Sequence, residues 1–123
     1  MNNDFILDQV SSTLISFLLP EGILEYFRLI KVDKGPSGLH IYLEENNTVP
    51  EGYLKSDLES KGFFPEISVQ DFPIRGQKVA LCIKRRRWTV KSSGKIISRD
   101  WNLVKEGTRM TTEFGLFLKG IFG

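Results

Sequence analysis

Val79-Ala80-Leu81-Cys82-Ile83-Lys84-Arg85-Arg86-Arg87-Trp88 is the stretch on which the fold turns. Val79, Leu81 and Ile83 fall on one side of an extended chain, and Ala80, Cys82 and Lys84 on the other. That period of two marks a half-buried strand. The strand runs straight into four consecutive cations and a tryptophan. Arg85 and Arg87 would share one face and Arg86 the other, so charge stands on both sides. A ribbon of that kind is not expected at the centre of a core, and its distal half should project into solvent or onto a partner. Upstream, Ile67, Val69 and Asp71 alternate with Ser68, Gln70 and Phe72, and residues 73–77 supply turn chemistry, which predicts a β-hairpin. Downstream, Ser92-Ser93-Gly94-Lys95 predicts a turn and residues 96–101 a returning strand.

Working outward, Leu39, Ile41 and Leu43 alternate with His40, Tyr42 and Glu44. The turn cluster Asp33-Lys34-Gly35-Pro36-Ser37-Gly38 precedes them, so a first hairpin is expected over residues 27–45. Residues 46–64 show no clear period, though Leu54 and Leu58 allow one short helical turn. At the start, Ile6, Val10, Leu14, Phe17 and Leu18, with Leu7, follow helical spacing over residues 4–19. Asn3 or Asp4 can cap that helix, Pro20 ends it, and a short helical turn is expected near residues 20–26. A last helix is expected from about Thr111, with Phe114, Phe117, Leu118 and Ile121 as a partner-binding stripe that must dock on this domain or on another chain. The expectation is a single α+β domain over residues 1–123. It has an N-terminal helix, two β-hairpins with a projecting basic ribbon, and a C-terminal amphipathic helix.

Charge is divided unevenly along the chain. Residues 1–74 hold 5 Lys/Arg against 12 Asp/Glu, whereas residues 75–110 hold 11 against 2. A cationic block beside an acidic one points to a polyanionic partner. A strand sets alternate side chains about 6.6–6.8 Å apart on one face, close to the spacing of successive phosphates. Arginine adds bidentate geometry toward phosphate or guanine. The bland alternative is a solvated, solubilising face, but two tryptophans interleave the block. The expected nucleic-acid contacts are Lys84, Arg85, Arg86, Arg87, Trp88, Lys91, Lys95, Arg99 and Arg109. Trp88 and Trp101 are read as bracing the ribbon more than stacking on bases.

Other chemistry finds little support. His40 is the only histidine, so no histidine relay or His-based metal site can be assembled, and it reads as a surface or pocket-edge residue. Cys82 is the single cysteine, which excludes an internal disulfide, and it reads as a small buried hydrophobe. Zinc would need further Cys and His ligands. Ser93-Gly94-Lys95 lacks the upstream glycine of a phosphate loop and reads as a turn tip. Asp71 and Asp100 lack a third carboxylate for a two-metal site; Asp71 reads as a turn residue and Asp100 as an arginine partner. No catalytic residue, metal or cofactor is therefore expected. No apolar run reaches the roughly 18–20 residues of a membrane span. The N-terminus lacks a basic signal region, so a cytoplasmic protein is expected, and the DNA contacts expected of the basic block would make it nucleoid-associated.

Three stretches carry a family resemblance: Val69-Gln70-Asp71-Phe72-Pro73-Ile74-Arg75-Gly76, then Lys84-Arg85-Arg86-Arg87-Trp88, then Arg99-Asp100-Trp101-Asn102-Leu103-Val104-Lys105-Glu106-Gly107-Thr108-Arg109-Met110-Thr111. Leu19-Pro20-Glu21, Leu24-Glu25-Tyr26-Phe27, His40-Ile41-Tyr42-Leu43-Glu44-Glu45 and Leu58-Glu59-Ser60-Lys61-Gly62-Phe63 agree. Over residues 18–120 the chain resembles the N-terminal region protein of split bacterial insertion-sequence transposases of the ISAon type. The 71–87 segment is also similar to the opening ribbon of ISL-type transposases, in which paired cysteines bind zinc. Trp88 stands where such a cysteine would be, so the resemblance implies a zinc-less ribbon braced by tryptophan. It further implies a non-catalytic accessory chain that recognises insertion-sequence DNA for a separate catalytic transposase subunit during transposition, with a homo-oligomer as a further possibility. Two other readings remain open at this stage. One is an adaptor that docks the catalytic chain through Phe114, Phe117, Leu118 and Ile121, and the other is an RNA-binding regulator.

Overall fold

The computed structural model describes residues 3–20 and 22–100. The sequence-predicted C-terminal helix with Phe114, Phe117, Leu118 and Ile121, and the cation Arg109, lie outside the described residues. Within them the fold is α+β, with one α-helix and seven strands in two sheets. No helix among them is long and apolar enough to cross a membrane.

Helix α1 spans Asn3–Leu18, and a 3-10 turn at Ile23–Glu25 follows it. Strands β1 (Phe27–Gly35) and β2 (Gly38–Glu45) form an antiparallel pair. Gly38, at φ 137, lies against the neighbouring strand: a Cβ built there would collide with the Lys78 carbonyl oxygen. A 3-10 turn at Lys55–Asp57 leads into β3 (Leu58–Phe63). Strands β4 (Ile67–Ile74) and β5 (Gln77–Lys84) pair antiparallel through a turn at Arg75 and Gly76, both with positive φ. Two consecutive left-handed residues fit the right-handed twist of a tight hairpin. The turn is shorter than the five residues expected from sequence. Pro73, which lacks an N–H, is accommodated inside β4 because that strand is an edge.

The four-stranded sheet has the order β1-β2-β5-β4, with β2 and β5 parallel. Leu39, Ile41 and Leu43 stand opposite Val79, Leu81 and Ile83. This apolar face, with Phe27, Leu19 and Ile23, forms the main core. Ile15 and Leu19 anchor the end of α1 there, while Val10, Leu14 and Phe17 remain exposed, Phe17 to 83%.

The basic stretch departs from expectation. Instead of projecting, the chain passes Arg85 and enters a second sheet as β6 (Arg86–Val90), flanked by β3 and by β7 (Ile96–Ile97). Trp88 is 1% exposed and centres a small core with Leu58, Val90 and Ile97. The ribbon expectation failed because it treated guanidinium as necessarily solvated. Arginine can sit half buried when its fork finds fixed acceptors and its plane finds a ring. β3 was not anticipated, since Ser60, Lys61 and Gly62 interrupt its apolar alternation and a register shift falls between Ser60 and Phe63. Among the described residues the returning strand is two residues long, and Asp71 lies in β4 opposite Val79, in keeping with its place in the strand alternation and not with a turn role.

Candidate nucleic-acid interface

The three arginines meet different fates, set by which way the backbone turns each one. Arg86 is fastened at the junction of the two sheets. Its backbone N–H donates to Glu45 Oε1 at 3.0 Å and its Nε to the Glu45 carbonyl at 3.1 Å. Its Nη1 donates to Ser60 Oγ at 2.7 Å, and its guanidinium lies 4.7 Å from the Phe63 ring centre. Arg87, one residue on, points to the opposite side of β6 and donates Nε to the Lys61 carbonyl at 2.9 Å. Arg85 stacks 5.2 Å from the Phe64 ring centre.

Arg99 is consumed more completely. Only 8% exposed, it donates Nε to Glu45 Oε2 at 2.9 Å and Nη2 to the Thr48 carbonyl at 2.6 Å. Its plane lies near the rings of Tyr26 and Trp88. Trp88 in turn donates Nε1 to Asn47 Oδ1 at 3.0 Å. Glu45, 1% exposed, is thus the acceptor that binds Arg86 and Arg99 together. Burial pushes its carboxyl above the usual glutamate range, and the donors from Arg99 and Arg86 pull it only part of the way back. Arg99 and Trp88, expected to touch nucleic acid, are therefore interior groups in this structure.

Lys91 and Lys95 flank an ordered turn after β6 and are exposed. Asp57 pins that turn. Its carboxylate accepts from Ser92 N–H at 2.9 Å and Ser92 Oγ at 2.8 Å, and its carbonyl from Lys91 N–H at 2.7 Å. The turn closes through Val90 N–H to the Lys95 carbonyl, 2.8 Å, and Gly94 N–H to the Val90 carbonyl, 2.7 Å. No ion pair among the described residues involves Arg87, Lys91 or Lys95. Lys84 sits apart from them, on the polar face of the four-stranded sheet beside Tyr42, Cys82 and Glu66. Burial raises the Cys82 thiol, with the Glu66 charge adding to the effect, so that group is a poor nucleophile. No group of three or more His, Cys, Asp or Glu among the described residues is placed to hold a metal ion.

Sequence reasoning missed Glu45, although a signal existed. In the run Leu39, Ile41, Leu43 the next inward position is 45, and an acid at a core-facing place of an alternating strand requires a buried donor. No family model, curated protein or solved structure matches the chain.

Proposed function

We propose that this chain recognises insertion-sequence DNA and presents it to a separate catalytic transposase chain. The resemblance to ISAon-type N-terminal region proteins supplies the context. The observation that carries the reading is the placement of Arg87, Lys91 and Lys95 along β6 and its pinned turn, free of the ion pairs among the described residues. An ordered turn holds lysines at fixed spacing, which lowers the entropy lost on gripping a phosphate backbone. The contact set is narrower than the basic run suggests, because Arg86, Trp88 and Arg99 hold the fold together.

The test is duplex binding followed by fluorescence anisotropy across salt. Three phosphate contacts give a slope of log K against log salt of about −2.7. Lys91→Ala with Lys95→Ala should flatten that slope by about 1.8 and leave the far-ultraviolet circular dichroism unchanged. Absence of duplex binding at low salt, or an unchanged slope in the double variant, rejects the proposal.

A further inference from the structure

The polar face of the four-stranded sheet is a furrow rather than a plane, and its shape follows from side-chain size. On β5 the outward residues between Lys78 and Lys84 are Ala80 and Cys82, both small. The register sets His40 and Tyr42 of β2 beside them on one flank, and Gln70 and Ser68 of β4 on the other. At Ala80 the floor lies between the taller His40 and Gln70 and makes a trough about two strand spacings wide, roughly 9–10 Å; at Cys82 it has Tyr42 on one side and opens toward β4, where Ser68 is as low as the floor. Two clefts lie along it. One of 340 Å³ is lined by His40, Ser68, Gln70, Lys78 and Ala80 among others, and one of 230 Å³ by Lys31, Tyr42, Glu66, Cys82 and Lys84 among others. Lysines therefore stand at both ends of the furrow. Six residues of strand separate Lys78 from Lys84, about 20 Å.

We infer that this furrow binds a short single-stranded segment of nucleic acid, a site distinct from the Arg87-Lys91-Lys95 surface and not dependent on it. The wall of β2 offers two ring side chains at strand spacing, each with a face on which a base can stack. The wall of β4 offers a hydroxyl and an amide, which can both donate and accept toward base edges. Lys31 covers one face of the Tyr42 ring, 4.6 Å from its centre, so a base stacks on the opposite face with that cation behind the ring. A duplex is too wide for the trough. Glu44, tied to Arg28 at 3.4 Å, and Glu66 at the Lys84 end offset much of the local positive charge. Asp33, paired with Lys31 at 3.5 Å, does the same near the Lys31 end. Stacking and base-edge contacts must then carry most of the affinity, which an extended acidic peptide could not exploit.

The test uses the whole chain and a labelled mixed-sequence 12-nucleotide single strand. With two lysine contacts the slope of log K against log salt is shallow, about −1.4. Tyr42→Ala removes one stacking surface and should weaken binding roughly tenfold, as loss of one stacked base does. Ala80→Leu fills the floor while leaving every wall group in place, and should weaken binding at least as much. Lys91→Ala with Lys95→Ala should leave single-strand affinity unchanged, so failure here and failure of the duplex reading are separately visible. Circular dichroism and the urea midpoint identify any variant that has lost its fold, and the other furrow variant then decides. Single-strand affinity that ignores both furrow variants overturns the inference. So does its absence, a steep slope removed by the lysine changes, or a glutamate-rich peptide that binds more tightly than the oligonucleotide.

Discussion

Glu45 shows how far one side chain can redirect a charge pattern. Its carboxylate accepts from the Arg99 guanidinium and the Arg86 backbone amide within a site almost closed to water. Desolvation is the larger effect on that group, so the pair is costly to bury and more costly to break. Arg99→Met leaves an uncompensated interior carboxylate and should lower unfolding free energy by about 3–5 kcal/mol in urea denaturation. Glu45→Gln combined with Arg99→Met should cost clearly less than the sum of the two single changes, because each removes the reason for the other. Additive costs would show the pair to be uncoupled. The pH dependence has a definite sign. Burial holds the folded carboxyl above its ordinary value of 4.5, so between that value and the folded one the native state binds more protons than the unfolded state. Stability from this group is full below the ordinary value and declines as pH rises through the folded one. The urea midpoint of the parent relative to Glu45→Gln should therefore fall as pH rises above the ordinary value of 4.5. A difference that rises over the same interval would mean that the arginine donors outweigh burial.

At the scale of elements, alternation was a dependable guide where a strand buries one face and a poor one where it does not. The positions of β2, β4 and β5 follow from Leu39-Ile41-Leu43, Ile67-Val69 and Val79-Leu81-Ile83, each an unbroken apolar alternation. β3 carries Leu58 and Phe63 at its ends with Ser60, Lys61 and Gly62 between, and its pairing slips there, so the sequence shows no period to find. The parallel pairing of β2 with β5 was invisible too, since no local pattern records which strands become neighbours. β6 was misplaced for a different reason, because its arginines find acceptors that only the tertiary fold brings near. Two turns give element-level predictions. Arg75 adopts φ 52 in the β4–β5 turn, where a side chain costs about 1–2 kcal/mol. Arg75→Asn should raise the urea-derived stability by about 0.5–1 kcal/mol, since asparagine tolerates that conformation. Gly38→Ala should act in the opposite direction and by more than ~1 kcal/mol, because its Cβ meets the Lys78 carbonyl oxygen and φ is unfavourable as well. An alanine variant as stable as the parent would mean that β2 and β5 separate without cost.

For the whole molecule, net charge and available charge are different quantities. Residues 75–110 hold 11 Lys/Arg, yet Arg99 is sealed inside and Arg86 spends its donors on the join between the two sheets. The acidic first half supplies the counter-group through Glu45, so the two halves of the charge pattern meet in the interior as well as facing solvent. Equal formal charges on neighbouring residues therefore carry unequal duties, and this separates Arg86 from Arg87. Arg87→Ala removes a half-exposed cation that, among the described residues, is held through its donation to the Lys61 carbonyl. Its effect should be a salt slope flatter by about 0.9 in duplex binding with the urea midpoint nearly unchanged. Arg86→Ala removes the donors to Ser60 and to the Glu45 carbonyl and the ring contact with Phe63. Its effect should be a loss of stability of about 1–3 kcal/mol, from stranded acceptors and lost packing, with the salt slope of the folded fraction retained. Replacing Arg85, Arg86 and Arg87 together would mix the two effects and report neither. If Arg86→Ala flattened the slope without moving the urea midpoint, the cationic run would act as one exposed strip after all, and the division of labour across β6 would be wrong.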